Sequence, residues 1–374
     1  MDSEDKPFIK VSYLKGDIKP SFSFQKDIKN LKNIFILIVT FLSIFLILIF
    51  FLIVFALKSK SLLAQYFEKK KIIKDLNYYI KLQDYFCDYI HLIYDKKIED
   101  ELILYKVSLE SITFEMFVYK SGDYISNQIQ KNHYLNSNET LNILSALQKF
   151  ASDNHIVNPK EVVMLDIGAN IGWYSTYLGT FRYTILAFEP LPTNYYILKK
   201  NYCRNNRDFF GDKSSLIIIN KGLYRTEKDC AYYKNIESKE DDQIICDSSK
   251  SNRIGENFIK IKSVEMGVLS EFLQYIDNRN IALIRINLDK EGEKAIESGK
   301  QLFTQFHTPF IFVEFTKKSF IIRGTGTKNF LQFFLDNGYK ISTDGFLSNN
   351  FVTIEQILKI NTDYISLYLT YINS

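Results

Sequence analysis

The chain lacks a strong charge of either sign. Its 47 Lys and Arg stand against 43 Asp and Glu, a net charge of +4 over 374 residues, too little to argue for a nucleic-acid partner. It also lacks any Cys-x-x-Cys pair. Cys87, Cys203, Cys230 and Cys246 are spread along the chain, which gives neither a zinc site nor a disulfide framework, so the redox compartment stays open. His91, His133, His155 and His307 show no metal-ligand spacing, and no metal is expected. What is abundant is apolar material. A chain that is 46% hydrophobic and 15% aromatic is far from the disordered class and can fill a real core. The length suits one large domain with extras, or two domains.

One apolar run dominates the N-terminal part. Residues 34–57, IFILIVTFLSIFLILIFFLIVFAL, carry no charge. As a helix they would be about 36 Å long, enough to span a bilayer with some tilt. The run is too long for a cleaved signal peptide and no small-residue cleavage site follows, so an uncleaved signal anchor is expected. Lys19, Lys26, Lys29 and Lys32 precede it, while Lys58, Lys60, Lys69, Lys70 and Lys71 follow, and that balance does not fix the orientation. A short cytoplasmic tail and a lumenal catalytic domain in the secretory pathway are preferred. The sequon Asn138-Glu139-Thr140 matters only in that orientation.

The expected organisation is a polar tail (1–33), a transmembrane helix (34–57), a Lys-rich helical stem (58–104) and a catalytic domain (105–374). The stem offers a route to a homo-oligomer, although its heptads are broken at Lys69 and Gln83. From about 105 the pattern changes to short apolar runs alternating with amphipathic stretches. EVVMLDIG, YTILAFEP, SLIIINKGL, IALIRINL and PFIFVEF read as buried strands. TNYYILKKNYCRNN and EGEKAIESGKQLFTQF read as helices between them. This alternation predicts an α/β fold with a mostly parallel, doubly wound sheet covered on both faces. Residues 226–257 are polar and read as a surface insertion, with a lid as the alternative.

The chemistry concentrates in MLDIGANIGWYSTYLGTFRYTILAFEP, residues 164–190. Asp166 ends the first strand, Gly168 and Gly172 sit in the loop that follows, and Glu189 ends the second strand. Ligands of open α/β sheets bind at the carboxyl ends of strands, and an acid at the second strand end can accept both hydroxyls of a ribose. A dinucleotide needs G-x-G-x-x-G around its pyrophosphate. Here the loop is G-A-N-I-G, and Asp166 would face the phosphates. S-adenosylmethionine carries an amino group, a sulfonium and a ribose, and no phosphate, so it fits both acids.

These stretches carry a resemblance. LDIGANIGWYSTYLG followed by ILAFEPLPTNYYILKKN resembles the FkbM-type S-adenosylmethionine-dependent methyltransferases, class I Rossmann-like enzymes that O-methylate sugars and other hydroxylated products. GDYISNQIQ and ETLNILSAL upstream, and IIINKGLY, PFIFVEF and FLQFFLDNGYKI downstream, extend the likeness over roughly residues 110–345. The resemblance implies that Asp166, Gly168, Asn170, Gly172 and Glu189 bind the cofactor, with Ser126 and Glu139 near its methionine end. The family pattern K-I-D-x-E-G-x-E is irregular here. The stretch reads RINLDKEGEKAIESG, with Asn287 in place of the family Asp. Asp289 and Glu291 are the candidate catalytic bases, and Glu314 is a third.

The expectation is therefore a membrane-anchored O-methyltransferase for a hydroxylated acceptor such as a glycan, tied to the lipid bilayer by residues 34–57. A non-catalytic binding or scaffold protein on the same fold is the alternative. An NAD-linked oxidoreductase is disfavoured by the G-A-N-I-G loop.

Overall fold

The computed structural model describes residues 76–89, 96–205, 216–236, 242–246, 255–274, 276, 280–287, 292–316, 325–362 and 364–372. They belong to one compact unit, 73–374. The tail and the expected transmembrane helix lie outside the described residues. Among the described residues, no helix is long and apolar enough to cross a membrane.

The described chain opens with helix α1 (Leu76–Tyr89), the hairpin β1 (Leu102–Leu109) and β2 (Ile112–Tyr119), and helices α2 (Tyr124–Asn132) and α3 (Ser137–Asp153). The alternating part follows as β3 (Val163–Ile167), α4 (Trp173–Gly179), β4 (Thr184–Phe188), α5 (Pro192–Asn205) and β5 (Leu216–Ile219). Next come β6 (Gly222–Leu223), β7 (Lys228–Asn235), β8 (Gln243–Ile245) and β9 (Phe258–Gly267). The chain ends with β10 (Ile281–Asn287), α6 (Gly292–Ser298), β11 (Phe310–Thr316), α7 (Thr325–Asp336), β12 (Tyr339–Ser342) and β13 (Tyr364–Tyr371).

Seven strands form the central sheet in the order β12-β13-β11-β10-β3-β4-β5. Only β13 runs against the others, antiparallel to both its neighbours. The alternation of side chains along each strand feeds two cores. Met164, Ile185, Ala187, Leu216 and Ile218 face one side, while Val163, Leu165, Leu186, Phe188, Ile217 and Ile219 face the other. Strands buried on both faces must read as continuous apolar runs, which is how they appear in the sequence. The order reverses between β3 and β10, and the crevice above that reversal is where such sheets hold ligands.

Open sheet edges are sealed by amide side chains, which can both donate and accept as a strand backbone does. Gln83 of α1 donates to the Leu216 carbonyl and accepts from the Ile218 N–H, closing the β5 edge. Asn201 and Asn205 of α5 do the same for Phe117 and Glu115 of β2. The stem, described from Leu76 on, is thus part of the domain: Tyr79, Gln83 and Phe86 recur at helical spacing and are buried against it.

Two expectations need correction. The cysteines do form a disulfide framework. Cys87 of α1 pairs with Cys203 of α5 across 116 residues, and Cys230 pairs with Cys246 across 16. A pairing across 116 residues is set by packing, which spacing does not reveal. The polar stretch 226–257 also carries β7 and β8, which join β6 and β9 in a sheet of order β6-β9-β7-β8. Its small core of Tyr224, Cys230, Tyr232, Cys246, Val264 and Met266 packs against Leu191. One face alone is apolar there, so the segment reads as polar overall.

Replacing both Cys230 and Cys246 by Ser should cost about 3 kcal/mol, the loop-closure entropy of a short cross-link, read as a lower urea midpoint. An unchanged midpoint would mean the bond is absent in the folded protein.

Candidate functional site

The stretch singled out in the sequence lies at the carboxyl ends of β3 and β4. Apolar β3 delivers Asp166 near its end, and the loop Gly168–Gly172 turns the chain into α4. Three loop residues take left-handed backbone: Gly168 (φ +80°), Asn170 (φ +54°) and Gly172 (φ +90°). At Gly172 the left-handed backbone favours glycine, and a Cβ would lie 2.1 Å from Leu198 Cδ1 and force that side chain to move. Asn170 is one of the residues that tolerate this conformation, and its side-chain oxygen accepts from the Ile171 N–H. The N–H groups of Gly168 and Ala169 both donate to the Phe188 carbonyl, and Asn201 donates to the Ile171 carbonyl. The loop is therefore fastened to β4 and α5.

Glu189 is 3% exposed. One carboxylate oxygen accepts from the Asn170 N–H and the other from the Leu191 N–H, each at 2.8 Å. A carboxylate has roughly four acceptor sites, so about two remain, which matches the two hydroxyls of a ribose. Burial pushes the Glu189 carboxyl up to about 7, opposed by those two N–H donors. The small β6–β9 sheet props this corner through Leu191.

Asp166 is tied into a buried ion pair that the sequence did not show. It is fully buried, and its two oxygens accept from the Ser175 hydroxyl and from Arg285 Nη1, the latter at 2.8 Å. Arg285 sits on β10 directly opposite Asp166 in the strand register. It is 3% exposed, and it also donates to the Gly168 carbonyl and, from Nε and Nη2, to Glu314 of β11. The Tyr174 ring lies 4.6 Å from the guanidinium carbon, and the Tyr174 hydroxyl donates to Glu314. Burial opposes the charge on Arg285, but Glu314 and Asp166 outweigh it and hold the guanidinium above its usual pKa. Buried charges persist in this way only when paired and hydrogen-bonded.

The remaining residues fall as follows. Asp289 and Glu291 lie outside the described residues. Glu314 is already engaged by Arg285 and Tyr174. Ser126 is buried and donates to the helix-capping Asp123, and Glu139 meets Ser366 at 3.5 Å. Asn287 ends β10, 3.3 Å from where a Cβ on Gly168 would stand. Arg285, Ser175 and Asn201 were missed from sequence. The one available signal was the lone Arg inside the apolar run IALIRINL.

The strand order, with one antiparallel strand near the edge, defines a class I S-adenosylmethionine-dependent methyltransferase-like fold. Residues 166–341, just under half of the chain, match the family described as Methyltransferase FkbM domain. Among solved structures, methyltransferase FkbM from Methylobacillus flagellatus KT is similar at 12% identity and a TM-score of 0.34, over 56% of this chain and 44% of that one. The chain thus spans under half the length of that protein. TYW2 of M. jannaschii in complex with AdoMet is similar at 11% identity and a TM-score of 0.30, over 72% and 84% of the two chains. Magnesium protoporphyrin IX methyltransferase from Synechocystis PCC 6803 with bound SAM gives 10%, 0.33, 68% and 86%. No curated protein matches the chain in sequence. These overlaps are loose, and the assignment stands on the strand order and the family match.

Arg285→Met should lose about 3–5 kcal/mol of stability, because it leaves Asp166 and Glu314 as unpaired carboxylates in a low-dielectric site. Denaturant unfolding reads it. A loss under about 1 kcal/mol would show that the cluster is not the buried ion pair described.

Proposed function

We propose that this chain is an S-adenosylmethionine-dependent O-methyltransferase, anchored in a membrane by residues 34–57, that acts on a hydroxylated acceptor such as a glycan. The observation that carries the reading is Glu189, a buried carboxylate with acceptor capacity to spare, set against the G-A-N-I-G loop of an FkbM domain. Its spare acceptor sites fit the ribose diol. The G-A-N-I-G loop lacks the G-x-G step that seats a pyrophosphate, which disfavours a dinucleotide. The bound cofactor supplies an electrophilic methyl on a sulfonium.

The protein's share of the chemistry is placement. The fastened loop fixes the cofactor over β3 and β4, and Asn287 borders the acceptor side at the end of β10. An acceptor oxygen held about 3 Å from the methyl carbon, in line with the departing sulfur, needs little more than a base for its proton. Asp289 and Glu291 remain the candidates for that base. A non-catalytic binding protein is the second reading. Asn287 in place of the family Asp favours it, as does the engagement of Glu314 by Arg285.

The two disulfides support the lumenal orientation, since such bonds persist in oxidising compartments. Asn138 lies exposed in the first turn of α3, open to a glycan. Glycosidase treatment of the protein from secretory cells should raise its gel mobility, with Asn138→Gln as the control. Complete digestion of the domain by protease outside sealed vesicles would reverse the orientation.

The cofactor reading has a pH signature. Only the ionised Glu189 accepts from both ribose hydroxyls, so affinity should fall as pH drops through about 7. S-adenosylhomocysteine should bind roughly tenfold more weakly at about pH 6 than at about pH 8, with the slope removed in Glu189→Gln. Absence of binding at either pH by the folded protein would end the methyltransferase reading.

A further inference from the structure

The seam between α1 and α5 holds a cation with no acid to meet it. Lys199, in the middle of α5, is buried. Its ammonium nitrogen lies 3.7 Å from the centre of the Phe86 ring on α1 and 4.4 Å from that of Tyr195, one turn back on α5. The next residue, Lys200, pairs with Glu99, but among the described residues no carboxylate pairs with Lys199. Ring faces attract an ammonium, yet they replace only part of the water it gives up. Burial pulls the pKa of Lys199 down to about 8. Docking α1 over α5 therefore works against the charge on Lys199.

One turn further along α5 the same seam is closed by a covalent bond. Cys203, four residues after Lys199, is joined to Cys87, the neighbour of Phe86. The bond spans 116 residues of chain and keeps α1 within covalent reach of α5 even when its side chains come loose. Cys87 and Cys203 both keep some exposure to solvent, whereas Cys230 and Cys246 are buried. Without the bond, α1 is a 14-residue helix held by Tyr79, Gln83 and Phe86, and a helix of that length is marginal on its own. Its seat, α5, also supports the cofactor loop: Leu198 stands against Gly172, and Asn201 donates to the Ile171 carbonyl.

We propose that the Cys87–Cys203 bond is a redox-sensitive latch. Closed, it keeps α1 docked over Lys199. Opened by a thiol of the glutathione class, it lets α1 lift, so that Lys199 reaches water and the loop Gly168–Gly172 loosens. In that step the S–S bond breaks, each protein sulfur takes up one electron and one proton, and two reductant thiols are oxidised to their disulfide. The lifting of α1 stands on the seam alone, and its effect on cofactor affinity rests on the methyltransferase reading.

Reduced glutathione added to the full-length protein in detergent tests the latch, with alkylation and peptide mapping to show which cysteines have opened. Cys87 and Cys203 should be alkylated while Cys230 and Cys246 stay paired. Amide exchange along residues 76–89 should then rise at least about tenfold and S-adenosylhomocysteine affinity fall about fivefold, both restored by oxidised glutathione. Lys199→Met removes the charge and keeps an unbranched apolar stem, so α1 should stay protected in that variant after the bond opens. Three results overturn the proposal: a bond that opens only on global unfolding, exchange or affinity unchanged once it is open, or equal loss of protection in Lys199→Met. Failure of the oxidised wild type to bind S-adenosylhomocysteine at all would strike the methyltransferase reading instead, and the exchange result would still decide the latch.

Discussion

One buried guanidinium sets the register of the functional end of this sheet. Arg285 joins three neighbouring strands, with Asp166 on β3 to one side and Glu314 on β11 to the other. Through the Gly168 carbonyl it also grips the loop that would carry the cofactor. The planar donor fork makes four hydrogen bonds, to two carboxylates and a carbonyl, one more than the three donors of a lysine could make. The cost of burying three charges is offset only by this complete pairing. The reward is positional: the loop after β3 and the carboxyl end of β10 cannot shift independently.

Amide side chains and disulfides do the same work farther out. Asn201 serves twice, closing the β2 edge and holding the Ile171 carbonyl, so the hairpin and the glycine loop share one anchor. Gln83 and the Cys87–Cys203 bond clamp α1 along the opposite flank of α5 and β5. The Cys230–Cys246 bond stiffens the small sheet that supports Leu191, whose N–H holds Glu189. Each device converts a surface segment into a fixed wall of one site.

Much of this was legible in the chain. The five apolar runs are strands, and the G-A-N-I-G loop opens α4 where expected, since periodicity and glycine placement are local properties. The predicted helix EGEKAIESGKQLFTQF splits into Gly292–Ser298 and Gln301–Thr304. What escaped was non-local. The ion pair of Asp166 stayed hidden because sequence cannot show that Arg285 lies opposite it across a strand pair 119 residues away. The cysteine pairs, the strands of 226–257 and the closing strand β13 escaped for the same reason. Cys87 and Cys203 are 116 residues apart, β13 pairs with β11 about fifty residues upstream, and the alternation of β7 and β8 is diluted by one wet face.

A double-mutant cycle on unfolding free energy, with Asp166→Asn and Glu314→Gln, tests most directly whether Arg285 unites the two. Each single change leaves the guanidinium one counter-charge, whereas both together leave a buried cation with none. The account predicts that the pair costs at least about 1 kcal/mol more than the sum of the singles. Additivity within about 0.5 kcal/mol would mean that the two carboxylates do not meet through Arg285, and the shared register would have to be abandoned.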